Sequence, residues 1–140
     1  MKKGMGKRKG TTFENKIYKI LRDVDINTKR TLGSGSSDEA ADIHFKNYVI
    51  ECKHYAQITD AMLDKWFKKL IKSKGNKDPI VIFKQNHRHT MVMYDYEGAY
   101  HFMYFDDWIK PHQFVSYVKK EINKDPEKYS LKNFLKETKQ

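Results

Sequence analysis

The residues of this sequence whose types and spacing could do chemistry are two acids, Asp42 and Glu51, and a lysine, Lys53. They lie in the segment 40–53, where apolar and polar residues alternate on both sides of Lys46–Asn47. This alternation predicts a β-hairpin with Lys46–Asn47 as a two-residue turn. The resulting register places Asp42 opposite Glu51, and it puts Lys53 on the same face as Glu51.

The division of side chains between the two faces of this hairpin supports the register. One face collects apolar and aromatic residues: Ala41, Ile43, Phe45, Tyr48, Ile50 and Cys52. The other face collects Asp42, His44, Val49, Glu51 and Lys53. A slip of one residue would mix the two groups, so Ile43 is expected to face Ile50 and Phe45 to face Tyr48.

Two opposed carboxylates predict a cation site. Directly opposed residues have Cβ atoms about 4.5–5.5 Å apart, and like charges at that distance repel. The pair Asp42–Glu51 is tolerable when both groups reach solvent, when one holds a proton or when a cation lies between them. Mg²⁺ fits, because it binds oxygen ligands through one or two carboxylates. Lys53 could then polarise a water or a phosphoryl oxygen. The alternative is an ordinary exposed polar face.

Glu14 has two interpretations. Thr11-x-x-Glu14 matches a capping box, which alone explains a glutamate at the start of a helix. Glu14 also lies one turn from Ile17 and Tyr18, at the edge of an apolar stripe. From there it could point towards the sheet and provide a third carboxylate for the ion, and the two roles can coexist.

The charge balance favours a polyanionic partner, most often a nucleic acid. The chain has 28 Lys and Arg against 18 Asp and Glu, a net charge of +10, and 24 of the basic residues are lysines. Lysine contacts phosphate as a point charge more readily than it reads bases. The lysines of the second predicted helix could also contact phosphate, although a solvated face is the interpretation we favour for them: Lys65, Lys68, Lys69 and Lys72.

Several classes of protein are excluded by composition. The single cysteine, Cys52, rules out an intrachain disulfide framework and a cysteine-built zinc site. No apolar run approaches the roughly 20 residues that span a bilayer, so we expect no membrane partner. The basic start of the chain is not followed by an apolar stretch, so we expect no secretory signal. The expected location is the cytoplasm, or the host cytoplasm if the gene is viral.

The elements that must position these residues follow from the apolar periodicity and the turn signals. We expect helices at 12–24 and around 62–71, strands at 27–32, 80–83, 91–96 and 100–105, a helix opened by Pro111 and a last helix with Leu131, Phe134 and Leu135. The expected fold is α/β, with a mixed central sheet of about five strands flanked by helices. We expect one domain over 1–140, with a flexible basic arm at 1–10 and C-terminal helices at 111–140.

The order and spacing of several short motifs resemble a known nuclease family. The motifs are Lys7-Arg8-Lys9-Gly10, Phe13-Glu14, Leu21-Arg22, Gly33-Ser34-Gly35-Ser36, Asp42-Ile43 and Ile50-Glu51-Cys52-Lys53. They resemble the PD-(D/E)xK nucleases, and among these the archaeal-type Holliday junction resolvases. The likeness covers residues 7–53 and continues more faintly to about residue 110.

The resemblance implies a restriction-endonuclease-like fold and a homodimer that nicks opposing strands of a four-way DNA junction, in DNA recombination and repair. The cofactor would be Mg²⁺, with Mn²⁺ as a substitute. Asp42, Glu51 and the backbone carbonyl of Cys52 would bind the metal, and Glu14 would bind it directly or through water. Lys53 would stabilise developing charge and orient the attacking water.

The resemblance also implies contacts with DNA. Ser34 or Ser36 would approach the scissile phosphate, and five basic residues would bind the backbone: Lys7, Arg8, Lys9, Lys29 and Arg30. Two alternatives stay open on the sequence alone. One is a nickase, flap nuclease or single-strand nuclease of the same fold, and the other is a non-catalytic DNA-binding module.

Overall fold

The computed structural model describes residues 5–31, 41–127, 130, 132 and 135–136, with side chains from residue 10 onward. In chain order the elements are α1 (Met5–Val24), β1 (Lys29–Arg30), β2 (Ile43–Phe45), β3 (Tyr48–Tyr55), α2 (Asp60–Ser73), β4 (Asp78–Gln85), β5 (Met91–Tyr96), β6 (Ala99–Tyr104) and α3 (Phe105–Lys124). The chain divides into two compact units, 1–108 and 109–140. The first unit contains the whole sheet, and the second contains most of α3.

The six strands form one sheet in the order β1-β2-β3-β4-β5-β6. All neighbours are antiparallel except β3 and β4, which are parallel and are joined by the crossover helix α2. In the hairpin, Ile43 pairs with Ile50 and Phe45 with Tyr48, so the predicted register is confirmed. The mixed α/β architecture is also confirmed, with six strands where about five were expected. The strand predicted at 27–32 is present as the two-residue edge strand β1.

Helices cover both faces of the sheet. The buried stripe of α1, with Phe13, Ile17 and Leu21, packs on β2 and β3. On the other face, α2 buries Leu63, Phe67 and Leu70 in a cluster with strand residues that include Val49, Val81, Phe83 and Met93. A strand covered on both faces is apolar on both, which explains the continuous run in β4 from Ile80 to Phe83.

Helix α1 begins earlier than the sequence predicted. It starts at Met5 rather than Thr12, so the part of the predicted arm from residue 5 onward is helical. Thr11 therefore lies inside the helix, and the predicted capping box with Glu14 is wrong. Lysine and arginine are good helix formers, so the segment 7–9 continues the helix that the downstream buried stripe anchors. Residues 1–4 lie outside the described residues.

Helix α3 also begins earlier than expected, at Phe105 instead of Pro111. The backbone N–H of Phe105 donates to the carbonyl of Thr90 at 2.9 Å, and Phe105 is buried, which fixes the start of the helix. Asp106 and Asp107 occupy the first turn, where acidic side chains interact favourably with the helix dipole. Pro111 lies inside the helix, so the prediction that it opens one is wrong.

The last predicted helix falls largely outside the described residues, which omit Leu131 and Phe134, although Leu135 is helical. Within the described parts of the chain, no helix combines the length and apolar character that a membrane crossing requires.

Candidate functional site

Asp42 is fixed at the end of β2 by three hydrogen bonds. Its backbone N–H donates to the carbonyl of Ile50 at 2.8 Å, and its own carbonyl accepts the N–H of Thr31 at 2.9 Å. The carboxylate oxygen Oδ2 accepts the backbone N–H of Cys52 at 2.8 Å. The side chain of Asp42 thus takes the place of a strand carbonyl, which directs its carboxyl group at the middle of β3.

Glu51 and Lys53 lie on the face of β3 that α2 covers. The Lys53 Nζ atom is 3.0 Å from Glu51 Oε1, and only 27% and 12% of the two side chains is exposed. Lys53 also lies 5.4 Å from the centre of the Trp66 ring, on which Tyr55 stacks at 5.5 Å. The alternative of an ordinary exposed polar face therefore does not describe Glu51 and Lys53.

Burial and a neighbouring negative charge disfavour the ionised form of Asp42, and burial disfavours that of Glu51. Burial and the negative charge of Glu51 together raise the pKa of Asp42 to about 7, although the hydrogen bond from Cys52 opposes the rise. Burial likewise raises the pKa of Glu51, although Lys53 opposes the shift. At neutral pH the metal-free pair thus carries less than its full negative charge, as expected for carboxylates brought together out of water.

Lys53 keeps its positive charge in this environment. Burial alone lowers a lysine pKa, but here the charge of Glu51 and the hydrogen bond to it outweigh burial, so the pKa of Lys53 is raised. A permanently protonated lysine can donate to an oxygen that gains negative charge, but it cannot accept a proton from water.

Cys52 lies between Glu51 and Lys53 in β3, and its thiol lies on the opposite face of the strand. It is buried, and burial raises the pKa of the thiol well above its ordinary value. Its contribution to the site is therefore made by the backbone, through the N–H that holds Asp42.

Glu14 reaches the margin of the site from α1. Its Oε1 atom accepts a hydrogen bond from Arg30 Nε at 3.0 Å, and Arg30 also donates to Asn15 Oδ1. The charge of Glu14 contributes to the raised pKa of both Asp42 and Glu51, so it lies within electrostatic range of the pair. The structure thus directs Arg30, predicted as a DNA contact, towards α1.

The structure describes some of the remaining predicted residues. Lys29 is exposed on β1. The segment Lys7–Lys9 lies in the first turns of α1, although the described side chains begin further along. Ser34 and Ser36 lie outside the described residues. The apolar periodicity did not show that α2 contributes Trp66 and Lys69 to the surroundings of Glu51 and Lys53. The available signal was their spacing of three residues, which places both on one side of that helix.

The donor set suits a hard divalent ion. Carboxylate oxygens from Asp42 and Glu51 and the backbone carbonyl of Cys52 are ligands of the kind that Mg²⁺ and Mn²⁺ prefer. Among the residues that the structure describes, no three His, Cys, Asp or Glu side chains are grouped to hold a metal ion. Mg²⁺ does not need such a cage, because it keeps several waters and binds one or two carboxylates plus substrate phosphates.

The chain resembles a solved structure and matches a protein-family model. The chain is similar to the solved structure of Hjc, a Holliday junction resolvase from the archaeal hyperthermophile Archaeoglobus fulgidus. The two share 14% identity and a TM-score of 0.40 over 76% of this chain and 99% of that one. No curated protein sequence matches the chain. A family model described as "Phage putative PDDEXK endonuclease" matches residues 5–140. The chain therefore belongs to this phage PDDEXK endonuclease family, which confirms the predicted PD-(D/E)xK relationship.

Proposed function

We propose that the protein is a metal-dependent endonuclease that hydrolyses phosphodiester bonds of branched DNA, with the four-way junction as its preferred substrate. The observation that supports the proposal is the 2.8 Å hydrogen bond from the Cys52 N–H to Asp42 Oδ2, which directs the Asp42 carboxylate at β3. There it lies within electrostatic range of Glu51, which is itself 3.0 Å from Lys53 Nζ. A net charge of +10 supports a nucleic acid as the substrate.

Asp42, Glu51 and the backbone carbonyl of Cys52 are the groups that would hold Mg²⁺, with Mn²⁺ as a substitute. When bound, a divalent ion neutralises charge on phosphoryl oxygens and lowers the pKa of water. Because Arg30 already holds the Glu14 carboxylate, we assign Glu14 an outer position, from which it would bind the ion through water.

Lys53 supplies a fixed positive charge to the reaction. Since its pKa is raised, the ammonium group stays protonated and donates a hydrogen bond to a phosphoryl oxygen as negative charge develops there. The same group orients the attacking water through its remaining donors. Its role is charge stabilisation and positioning, and the attacking water would lose its proton to the surrounding solvent, since a bound divalent ion would lower the pKa of that water.

The DNA contacts complete the proposal. Ser34 or Ser36 approaches the scissile phosphate, and four basic residues bind the phosphate backbone of the DNA: Lys7, Arg8, Lys9 and Lys29. Arg30 contributes through Glu14. A homodimer with two such sites would nick opposing strands of a four-way junction.

The test is a cleavage assay on three DNA substrates that share one sequence: a four-way junction, a flap and a linear duplex. We expect symmetrical paired nicks on the junction in Mg²⁺ or Mn²⁺ and none in EDTA. Asp42→Asn, Glu51→Gln and Lys53→Met should each lower the cleavage rate at least about 100-fold while junction binding persists.

Other outcomes of the same assay identify the alternatives. Preferential cutting of the flap or the linear duplex would reject the junction as the substrate and leave a nuclease of another specificity. Binding without cutting in either metal would make the protein a DNA-binding module. Full cleavage by Asp42→Asn and Glu51→Gln would show that the catalytic centre lies elsewhere.

A further inference from the structure

Helix α2 carries three lysines on its outward face. Lys65, Lys69 and Lys72 follow a spacing of four and then three residues, which aligns them along one side of a helix. All three are exposed, and among the described residues none of them forms a salt bridge. Lys68, on the neighbouring side, is instead neutralised by Asp64 at 2.8 Å. We name the first three residues the α2 lysine row.

The α2 lysine row borders the candidate catalytic centre. Trp66 lies one turn before Lys69, and its ring is 5.4 Å from Lys53 Nζ. The charge of Lys69 also acts on Glu51, so this lysine lies within electrostatic range of the carboxylate pair. The row therefore lies beside the candidate site, on the same face of the sheet as Glu51 and Lys53.

The dimensions of the row match a nucleic-acid strand. Lys72 follows Lys65 by seven positions in the helix, a rise of about 10 Å. One strand of B-form DNA carries a phosphate for about every 3.4 Å along the axis, so about three phosphates lie over that distance. Lysine binds phosphate as a point charge, and such contacts position a duplex without reading its sequence.

We propose that Lys65, Lys69 and Lys72 bind the phosphate backbone of the DNA arm that flanks the scissile phosphate. The inference rests on the proposed nuclease function and gives that function a second DNA-binding surface, separate from α1 and β1. It reverses the expectation that these lysines form only a solvated face, because three unpaired cations in line with the site complement a polyanionic strand.

The experiment measures binding of a fluorescent four-way junction in EDTA by anisotropy, over a series of NaCl concentrations. The triple variant K65Q/K69Q/K72Q removes the row and keeps good helix formers. We expect its Kd at 100 mM NaCl to rise at least about 10-fold. The slope of log K against log salt should become shallower by about 2 to 3, because each phosphate contact contributes about 0.9.

A matched control removes the same three charges elsewhere. K110Q/K119Q/K120Q alters exposed positions on α3, a helix to which neither proposal assigns a DNA contact. Its Kd should change less than about 3-fold and its salt slope should not change. Equal losses in the two triple variants, or an unchanged slope in K65Q/K69Q/K72Q, would overturn the inference.

The readout separates this inference from the nuclease proposal. Binding in EDTA does not depend on catalysis, so a shallower slope in a protein that never cuts DNA would support the lysine row and contradict the proposed function. If the wild-type protein cleaves the junction but the two triple variants have equal slopes of log K against log salt, the nuclease proposal stands and the DNA-binding role of the α2 lysine row is rejected. Circular dichroism melting of all three proteins checks that they are folded.

Discussion

At the scale of single residues, the Asp42 carboxyl links stability to pH. Its pKa in the folded protein is about 7, against an ordinary value of 3.8, because burial and Glu51 disfavour the charged form. The folded state therefore binds the proton more tightly than the unfolded state does. Its contribution to stability is full below about pH 4 and is lost as the pH rises through 7.

We expect the metal-free protein to lose about 2.5 kcal/mol of unfolding free energy between pH 5 and pH 8 relative to Asp42→Asn. The variant keeps the size of the side chain but has no group that titrates there. Urea denaturation in EDTA at the two pH values measures the difference. The same pH dependence in both proteins would show that Asp42 is not perturbed.

Trp66 is the residue whose ring positions Lys53. Replacing it by leucine removes a cation–π contact worth about 0.5–2 kcal/mol, so we expect single-turnover cleavage to slow between 2- and 30-fold. Trp66→Phe keeps an aromatic face and should recover most of the rate. The Kd for the junction should not change in either variant. A Trp66→Phe protein as slow as Trp66→Leu would contradict this role.

The residues of the candidate site differ in whether their proximity could be predicted from the sequence. Asp42, Glu51 and Lys53 could be predicted because a two-residue turn sets the hairpin register, and register decides which side chains face each other. Trp66 could not, because it reaches Lys53 from the crossover helix and no local pattern encodes that contact. The pairing of Arg30 with Glu14 also joins distant parts of the chain.

At the scale of elements, the N-terminal parts of α1 and α2 allow a matched test of helix capping. Thr11 lies inside α1, whereas Thr59 is the N-cap of α2 and its Oγ1 accepts the Met62 N–H at 3.3 Å. We expect Thr59→Ala to lower the free energy of unfolding by about 1 kcal/mol and Thr11→Ala to change it by less than about 0.5 kcal/mol.

Urea denaturation of the two variants at one pH gives the comparison. A loss for Thr11→Ala as large as that for Thr59→Ala would restore the capping box that the sequence predicted and would move the start of α1.

The positions of the strands and of α2 were predictable from periodicity. The starts of α1 and α3 were not, because helix formers precede Thr11 and an acidic first turn precedes Pro111.

At the scale of the whole molecule, the proposed reaction on a four-way junction requires two active sites. We therefore expect light scattering after gel filtration to give twice the chain mass of 16.7 kDa. A mixture of wild type with excess Asp42→Asn should nick one strand of a junction where the wild type nicks two. A monomer that still makes paired nicks would contradict the dimer.

The most direct test of the central claim, that Asp42 and Glu51 share one divalent ion, is calorimetric titration of the protein with Mn²⁺ at pH 7.5. We expect about one ion per chain, with affinity at least about 10-fold weaker in Asp42→Asn and in Glu51→Gln. No uptake by the wild-type protein, or equal uptake by all three proteins, would contradict the claim.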